Sequence, residues 1–286
     1  HRKPCRNGHA RSEGIMRLIA EFCQNHNGSF DTLQRMIAAA AEGGATHGKI
    51  QTIFADDLSY RPEFEEGRND PDGRVAVIKR PYRPEYDRLR KLELSYEQQR
   101  RFVEECRAAG LEPLTTAFNI TSIPPLRQIG MRSIKVASYD CGSLPLLEAL
   151  ARDFEEIIVS TGATYDEEIS AANALLRASG RRYALLHCVT LYPTPLADMN
   201  LERMTWLREL TPHVGLSEHS LVARDGVKAS LAAIHLGAEI IERHFTVLPE
   251  GQTRDGKVSI TKAHLAQLRA FARMSGSDQK QYLAEQ

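Results

Sequence analysis

The strongest constraint on this chain is a rhythm. From Met16 onward, short β-rich runs alternate with longer stretches of helical spacing, and the alternation repeats eight times. The strand-like runs are "RLIAEF" (17–22), "HGKIQTIF" (47–54), "EPLTTAF" (112–118), "SIKVAS" (133–138), "EEIIVST" (155–161), "RYALLHCV" (182–189), "HVGLS" (213–217) and "AEIIERHF" (238–245). Strands that each return through a helix lie parallel, because parallel neighbours need a long crossover between them. Eight such units in roughly 250 residues predict an α/β fold, the (β/α)8 TIM barrel. An open doubly wound sheet is the alternative, but no G-x-G-x-x-G turn follows the first run.

The ends of the chain and one insertion fall outside the rhythm. Residues 1–15 are basic and polar with no apolar segment of the signal-peptide kind, and they read as a disordered leader or a cloning remnant. The barrel is expected over 16–275, followed by a short tail, 276–286. Residues 55–94, rich in Arg, Asp, Pro and Tyr, are too many for an ordinary connection. They read as an active-site cover or an ordered excursion. In the first helix, Asp31 is the expected N-cap and Gly43-Gly44 the stop.

Composition excludes several partners. Lys plus Arg equals Asp plus Glu at 37 each, so net charge gives no case for nucleic acid or an anionic membrane surface. No apolar run reaches the ~20 residues that span a bilayer. The five cysteines are odd in number, widely spaced and without a C-x-x-C pair. They suggest neither a disulfide framework nor a zinc knuckle, and a cytoplasmic location is expected.

In a barrel of this type the chemistry sits at the C-terminal strand ends. Polar residues collect there: Glu21, then Lys49 and Gln51, then Thr115 and Thr116, then Lys135, Ser138 and Asp140, then Ser160. His187, Thr190 and Tyr192 follow, then Ser217, Glu218 and His219, then Glu242, Arg243 and His244. Two lysines among hydroxyls suit a small phosphorylated anion. Each hydroxyl taken alone is more simply a helix cap. A histidine near a strand end is ordinarily a packing residue, and His187 reads that way. His219 and His244 differ, because they end neighbouring strands and their rings could converge on one divalent ion. Two imidazoles leave positions open for water and substrate, as a catalytic metal requires.

At this point the motifs "IAEFCQNHNG", "GKIQT", "IKVAS", "IIVSTGA", "LLHCVTLYPTP", "GLSEHS" and "IERHF" together resemble the sialic acid synthases. That family includes the N-acetylneuraminate, legionaminate and pseudaminate synthases, and the resemblance runs from about Leu18 to Ser259. It implies condensation of phosphoenolpyruvate with the open-chain aldehyde of an N-acylated, mannose-like hexosamine, giving a nine-carbon 2-keto acid and phosphate. It implies Mn2+ or Mg2+ on His219 and His244, polarising the aldehyde oxygen. It places phosphoenolpyruvate on Lys49, Thr116, Lys135, Ser138, Ser160, Thr190 and Ser217, with Glu21, Lys49 and Lys135 catalytic. Gln51, Tyr192 and Asp255 match positions at the sugar or the reacting centre. A homodimer is implied as well.

The sequence departs from the family pattern at Glu218, at Tyr139-Asp140 and at Gly256, departures expected to lie nearer the sugar than the phosphoenolpyruvate. The family commonly carries an antifreeze-like domain that lends an arginine across a dimer. Only "SGSDQKQYLAEQ" follows the last predicted helix, so no such domain is expected here, and Arg254 is the candidate substitute in sugar binding. Tyr82, Arg83 and Arg88 of the excursion are further candidates to face the site. The alternatives are a synthase making a shorter 3-deoxy-2-ulosonate, and an inactive barrel that serves as a binding partner.

Overall fold

In the computed structural model, residues 16–285 are described apart from 74 and 78. The expected leader, 1–15, lies outside them. Eight strands form a closed barrel: β1 Arg17–Cys23, β2 His47–Thr52, β3 Glu112–Ala117, β4 Ser133–Val136, β5 Glu156–Ser160, β6 Arg182–Cys188, β7 Val214–Glu218 and β8 Ile240–His244. Every neighbouring pair is parallel, and β1 closes on β8 through Arg17 opposite Ile240. The main helices of the eight units are α1 Phe30–Glu42, α2 Tyr96–Ala108, α3 Ile123–Gln128, α4 Leu144–Asp153, α5 Asp166–Ser179, α6 Arg203–Leu210, α7 Lys228–His235 and α8 Lys262–Ala272. No described helix is long and apolar enough to cross a membrane.

The helices obey the spacing that predicts them. In α1 the buried residues are Phe30, Leu33, Met36, Ile37 and Ala40, one stripe of a 3.6-residue period. Its N-cap is Ser29 rather than Asp31: the Ser29 hydroxyl accepts from the Thr32 amide at 3.2 Å, and Asp31 falls inside the first turn. The chain leaves through Gly44 at φ +85°, a left-handed turn that glycine makes without strain. Strand β4 is shorter than expected. It ends at Val136, and Ser138 opens a 3-10 turn that runs to Asp140.

Two apolar layers result. One lies between barrel and helices, and the other fills the barrel's lower interior with Ile19, Leu114, Ile158, Ala184, Leu186 and Ile240. Gly215 on β7 belongs to this interior, where a Cβ would stand 2.3 Å from the Ile240 carbonyl oxygen. The described residues of the excursion carry secondary structure of their own. They hold a helix over Pro62–Glu66, a two-stranded hairpin of Arg68–Asn69 with Val75–Val77, and a helix over Tyr82–Arg90. The tail is helical over Gly276–Ala284. Its Gln279 donates to the Phe271 carbonyl at 3.1 Å, and Tyr282 packs on Phe271.

Glu218 and Arg243 correct one expectation. They sit on β7 and β8 next to inward-facing residues, so strand alternation turns both outward. Arg243 donates to Glu218 behind the barrel wall, with Ser230 of α7 as a further donor to the same carboxylate. Both side chains are essentially inaccessible, at 1% and 0%. The departure from the family pattern at Glu218 therefore faces a helix and not the sugar. Glu218→Ala would leave Arg243 buried without its carboxylate, and urea unfolding should show a loss of roughly 3–5 kcal/mol. A loss below about 1 kcal/mol would show that the pair is dispensable.

Candidate active site

Side chains facing into a barrel recur at every second residue, which sorts each strand into layers. On β1 the inward series is Ile19, Glu21, Cys23, and on β8 it is Ile240, Glu242, His244. On β7 it is Gly215, Ser217 and then His219, which follows the strand end. Strand β5 gives Ile158 and Ser160, and β3 gives Leu114 and Thr116. The lowest members make the apolar floor. The middle members are charged or hydroxylic, and the upper members carry sulfur and imidazole.

The middle layer gathers Glu21, Lys49, Thr116, Lys135, Ser160, Ser217 and Glu242, all buried. Lys49 donates to Glu21 and lies 3.7 Å from Glu242. Lys135 donates to the Ser160 hydroxyl at 2.6 Å and lies 3.7 Å from the other Glu242 oxygen. Ser217 donates to Glu242 at 2.9 Å, and the Cys23 amide donates to Glu21 at 2.7 Å. Two ammonium groups therefore face two carboxylates in a low-dielectric interior. Burial pulls Lys49 down to about 8, with Glu242 opposing that shift. Burial would raise Glu242, but the charges of Lys135 and Lys49 and the Ser217 hydrogen bond outweigh it and hold the carboxyl at about 2.

The upper layer is a different environment. Cys23 Sγ, a ring nitrogen of His244 and a carboxylate oxygen of Asp255 lie within 4.8 Å of one another. The His219 ring stands 5.3 Å from the His244 ring, centre to centre. Burial, followed by the charge of neighbouring cations, pushes His219 well below its ordinary range. Burial also lowers His244, against the pull of Asp255. Both rings are thus neutral, with lone pairs to offer. Among the described residues, His219 Nδ1 and His244 Nδ1 are buried without a hydrogen-bond partner. The Cys23 sulfur, the His244 imidazole and the Asp255 carboxylate form a donor set that fits a divalent metal, and His219 stands beside this group without belonging to it, its Nε2 bonded to the Tyr192 hydroxyl and its Nδ1 unpartnered. Cys23 reaches this position through a register shift in β1 and a backbone φ of +47°. Non-glycine residues seldom hold that conformation, and such outliers collect at functional sites.

The remaining expected residues fall around these layers. Gln51 follows Lys49 on the same face of β2. The Tyr192 hydroxyl sits 2.9 Å from His219 Nε2, with half of the residue open to solvent. Ser138 accepts from the Gly162 amide at 3.0 Å. Thr190 lies against Gly162, where an added Cβ would come within 2.9 Å of the threonine methyl. A cavity of about 510 Å3 opens here, lined by Gly162, Cys188 and Arg203 among others. Asp255 stands at the metal-type cluster, 3.7 Å from His244 Nδ1, whereas Arg254 turns to the excursion, 3.7 Å from Glu85. Of the excursion candidates only Arg88 reaches inward, donating to Gln24 at 2.6 Å. Arg83 pairs with Asp87 on the surface, and Tyr82 packs against Tyr60 and Tyr86. His187 is a packing residue, bonded to the Met199 carbonyl at 2.7 Å. Cys23 and Glu242 carry no assigned role in the sequence reading, although both lie in its motifs.

Residues 36–280 match the NeuB family. The chain belongs to that family. It is 30% identical to an N,N'-diacetyllegionaminic acid synthase of Campylobacter jejuni, over 88% of this chain and 73% of that protein. It is 27% identical to the human N-acetylneuraminate-9-phosphate synthase, over 93% of this chain and 73% of that one. The solved N-acetylneuraminic acid synthetase of Leptospira borgpetersenii superposes with a TM-score of 0.79 at 26% identity, covering 94% of this chain and 85% of that one. This NeuB-family chain is an enzyme, a phosphoenolpyruvate-using synthase that forms a carbon–carbon bond.

The buried lysine gives the site a pH signature. Lys49 binds its proton less tightly folded, at about 8, than the ordinary 10.5 of a lysine. The unfolded chain therefore holds more protons between those values, and folding stability rises with pH across that window. Below it the burial penalty on the ammonium is fully present and constant. Lys49→Met should remove that rise when urea unfolding is compared below and within the window. An unchanged rise in the variant would contradict the assignment.

Proposed function

We propose that this chain condenses phosphoenolpyruvate with an N-acylated, mannose-like aldose, giving a nine-carbon 2-keto sugar acid of the sialic-acid type and phosphate. The observation that carries this reading is the stacking of two layers: buried Lys49 and Lys135 gather at Glu21 and Glu242, which precede Cys23 and His244 of the upper cluster by two residues on their strands. A cradle for a small trianion and a site for an electrophile-activating cation are thereby adjacent. The homodimer that the resemblance implies and the cytoplasmic location expected from the cysteines belong to the same proposal.

In this reading the phosphate and carboxylate of phosphoenolpyruvate take over the Lys49 and Lys135 ammonium groups, so the anion leaves water without leaving its counter-charges. Thr116, Ser138, Ser160, Thr190 and Ser217 supply short hydroxyl donors around it. Gln51 and Tyr192 face the sugar. Held by Cys23, His219, His244 and Asp255, a divalent ion would supply Lewis acidity at the aldehyde oxygen, and a sulfur donor favours a transition metal such as Mn2+ over Mg2+. The new bond forms between the methylene carbon of phosphoenolpyruvate and the aldehyde carbon. The former enol carbon is left electron-poor, and the Glu21 carboxylate is placed to offset that charge or to hold the water that adds there. Addition of water and cleavage of the carbon–oxygen bond to phosphate then yield the ketone and free phosphate.

Phosphate release and product mass test this directly. With Mn2+, phosphoenolpyruvate and an N-acyl mannosamine, phosphate and a nine-carbon acid should appear together, and omission of the aldose should abolish both. A product of shorter chain from a smaller aldose would favour the shorter ulosonate, and no turnover with any aldose would overturn the reading. The cation site has its own readout. Co2+ bound to the protein should give a near-ultraviolet sulfur-to-metal absorption that Cys23→Ser removes. His244→Ala should weaken metal binding by more than the roughly 10–100-fold typical of an outer-sphere partner. An absorption that survives Cys23→Ser would remove the thiolate from the ligand set.

A further inference from the structure

Beside the mouth of the barrel, a second cavity of about 430 Å3 is lined by Lys79, Arg80, Pro81, Pro84, Glu85, Arg88 and Arg254. Among the described residues its wall holds four cationic side chains and a single carboxylate. That carboxylate is already committed: Arg88 donates to both Glu85 oxygens, at 2.9 and 2.7 Å. Arg254 approaches Glu85 only to 3.7 Å, and Lys79 has a surface partner in Glu66 at 2.9 Å. The Glu85 carboxyl is held below its ordinary range first by the Arg88 hydrogen bonds, with the charges of Arg88, Arg254 and Arg80 adding to the effect. Three guanidinium groups thus converge where one carboxylate balances one of them.

The cavity is stitched to the reacting centre. Arg88, half-buried, also donates to Gln24, the residue after Cys23. Arg254 immediately precedes Asp255, whose carboxylate lies in the metal-type cluster. An acceptor with its carbonyl oxygen at that cluster and its carbon chain running past Gln24 would end against these cations. A neutral hydroxyl at that end would leave the excess positive charge facing solvent. A dianionic ester would meet planar, forked donors that match phosphate oxygens.

We propose that the acceptor is a sugar phosphate, an N-acyl hexosamine carrying a phosphate monoester at the end remote from its aldehyde, and that Arg80 and Arg254 bind that phosphate with Arg88 as the fixed floor. The proposal rests on the synthase reading above and adds to it the substrate class.

The test compares an N-acyl mannosamine with its 6-phosphate ester, using the full chain with Mn2+ and phosphoenolpyruvate. The wild-type protein should prefer the ester by about 100-fold or more in kcat/KM, chiefly through KM. The double variant Arg80→Ala/Arg254→Ala should cut that preference by at least tenfold. Equal kcat/KM for the two sugars, or a preference unchanged in the double variant, would overturn the proposal while leaving the synthase reading intact. Calorimetric binding of both sugars to the wild-type and double-variant proteins decides the same question without turnover. Tighter binding of the ester that the variant loses supports it, and equal binding overturns it even if the synthase reading has failed.

Discussion

Four buried charges organise the upper half of this barrel. Lys49 and Lys135 face Glu21 and Glu242 with almost no access to water. Any one of them alone would cost several kcal/mol to bury, so the set is tolerable only as a near-neutral whole. Strand register achieves this: Glu21 lies opposite Lys49 on one side and His244 on the other, and Glu242 lies opposite Ser217. The balance also bears on how an anion enters. In the proposed reaction a phosphorylated trianion brings its own negative charge, and the ammonium groups would shift from Glu21 and Glu242 to it. Hydroxyls such as Ser160 and Ser217 already bond the charged groups and supply donors during that exchange.

Strand alternation lets two ionic systems share the same strands without interfering. Glu242 and His244 face the barrel interior, while Arg243 between them faces α7 and closes on Glu218. The inner set is available for ligand exchange. In the outer pair the Glu218 carboxylate also accepts from Ser230 and from the Ser220 amide, and the pair is buried behind the barrel wall. Chemical similarity in "SEH" and "ERH" therefore conceals opposite roles, decided by one residue of offset along each strand.

The barrel was legible because each switch from period 2 to period 3.6 marks a strand–helix unit, and eight switches leave few topologies. The gathering of Lys49, Lys135, His219 and His244 inside one end of the barrel was legible because each stands at or near a strand end. The direction of Glu218 and Arg243 was also available in principle, since three consecutive strand residues cannot all face inward. Cys23 was not. Its place depends on a bulge and a left-handed φ that no composition announces, and its partners are about 220 residues away in sequence, near His244 and Asp255. Glu242 was visible, but its role requires knowing that lysines from two distant strands converge on it. The excursion was hardest: polar and without periodicity, it gives no sign that Arg88 turns inward to Gln24.

The proposed reaction requires a cation and a three-carbon anion to settle in adjacent layers of the barrel. The most direct measurement is anomalous diffraction from crystals grown with Mn2+ and phosphoenolpyruvate. The predicted result is one strong manganese peak among Cys23, His219, His244 and Asp255, with the phosphoenolpyruvate oxygens on the amines of Lys49 and Lys135 just below it. A manganese peak bound elsewhere, with both lysines still closed on Glu21 and Glu242, would contradict it.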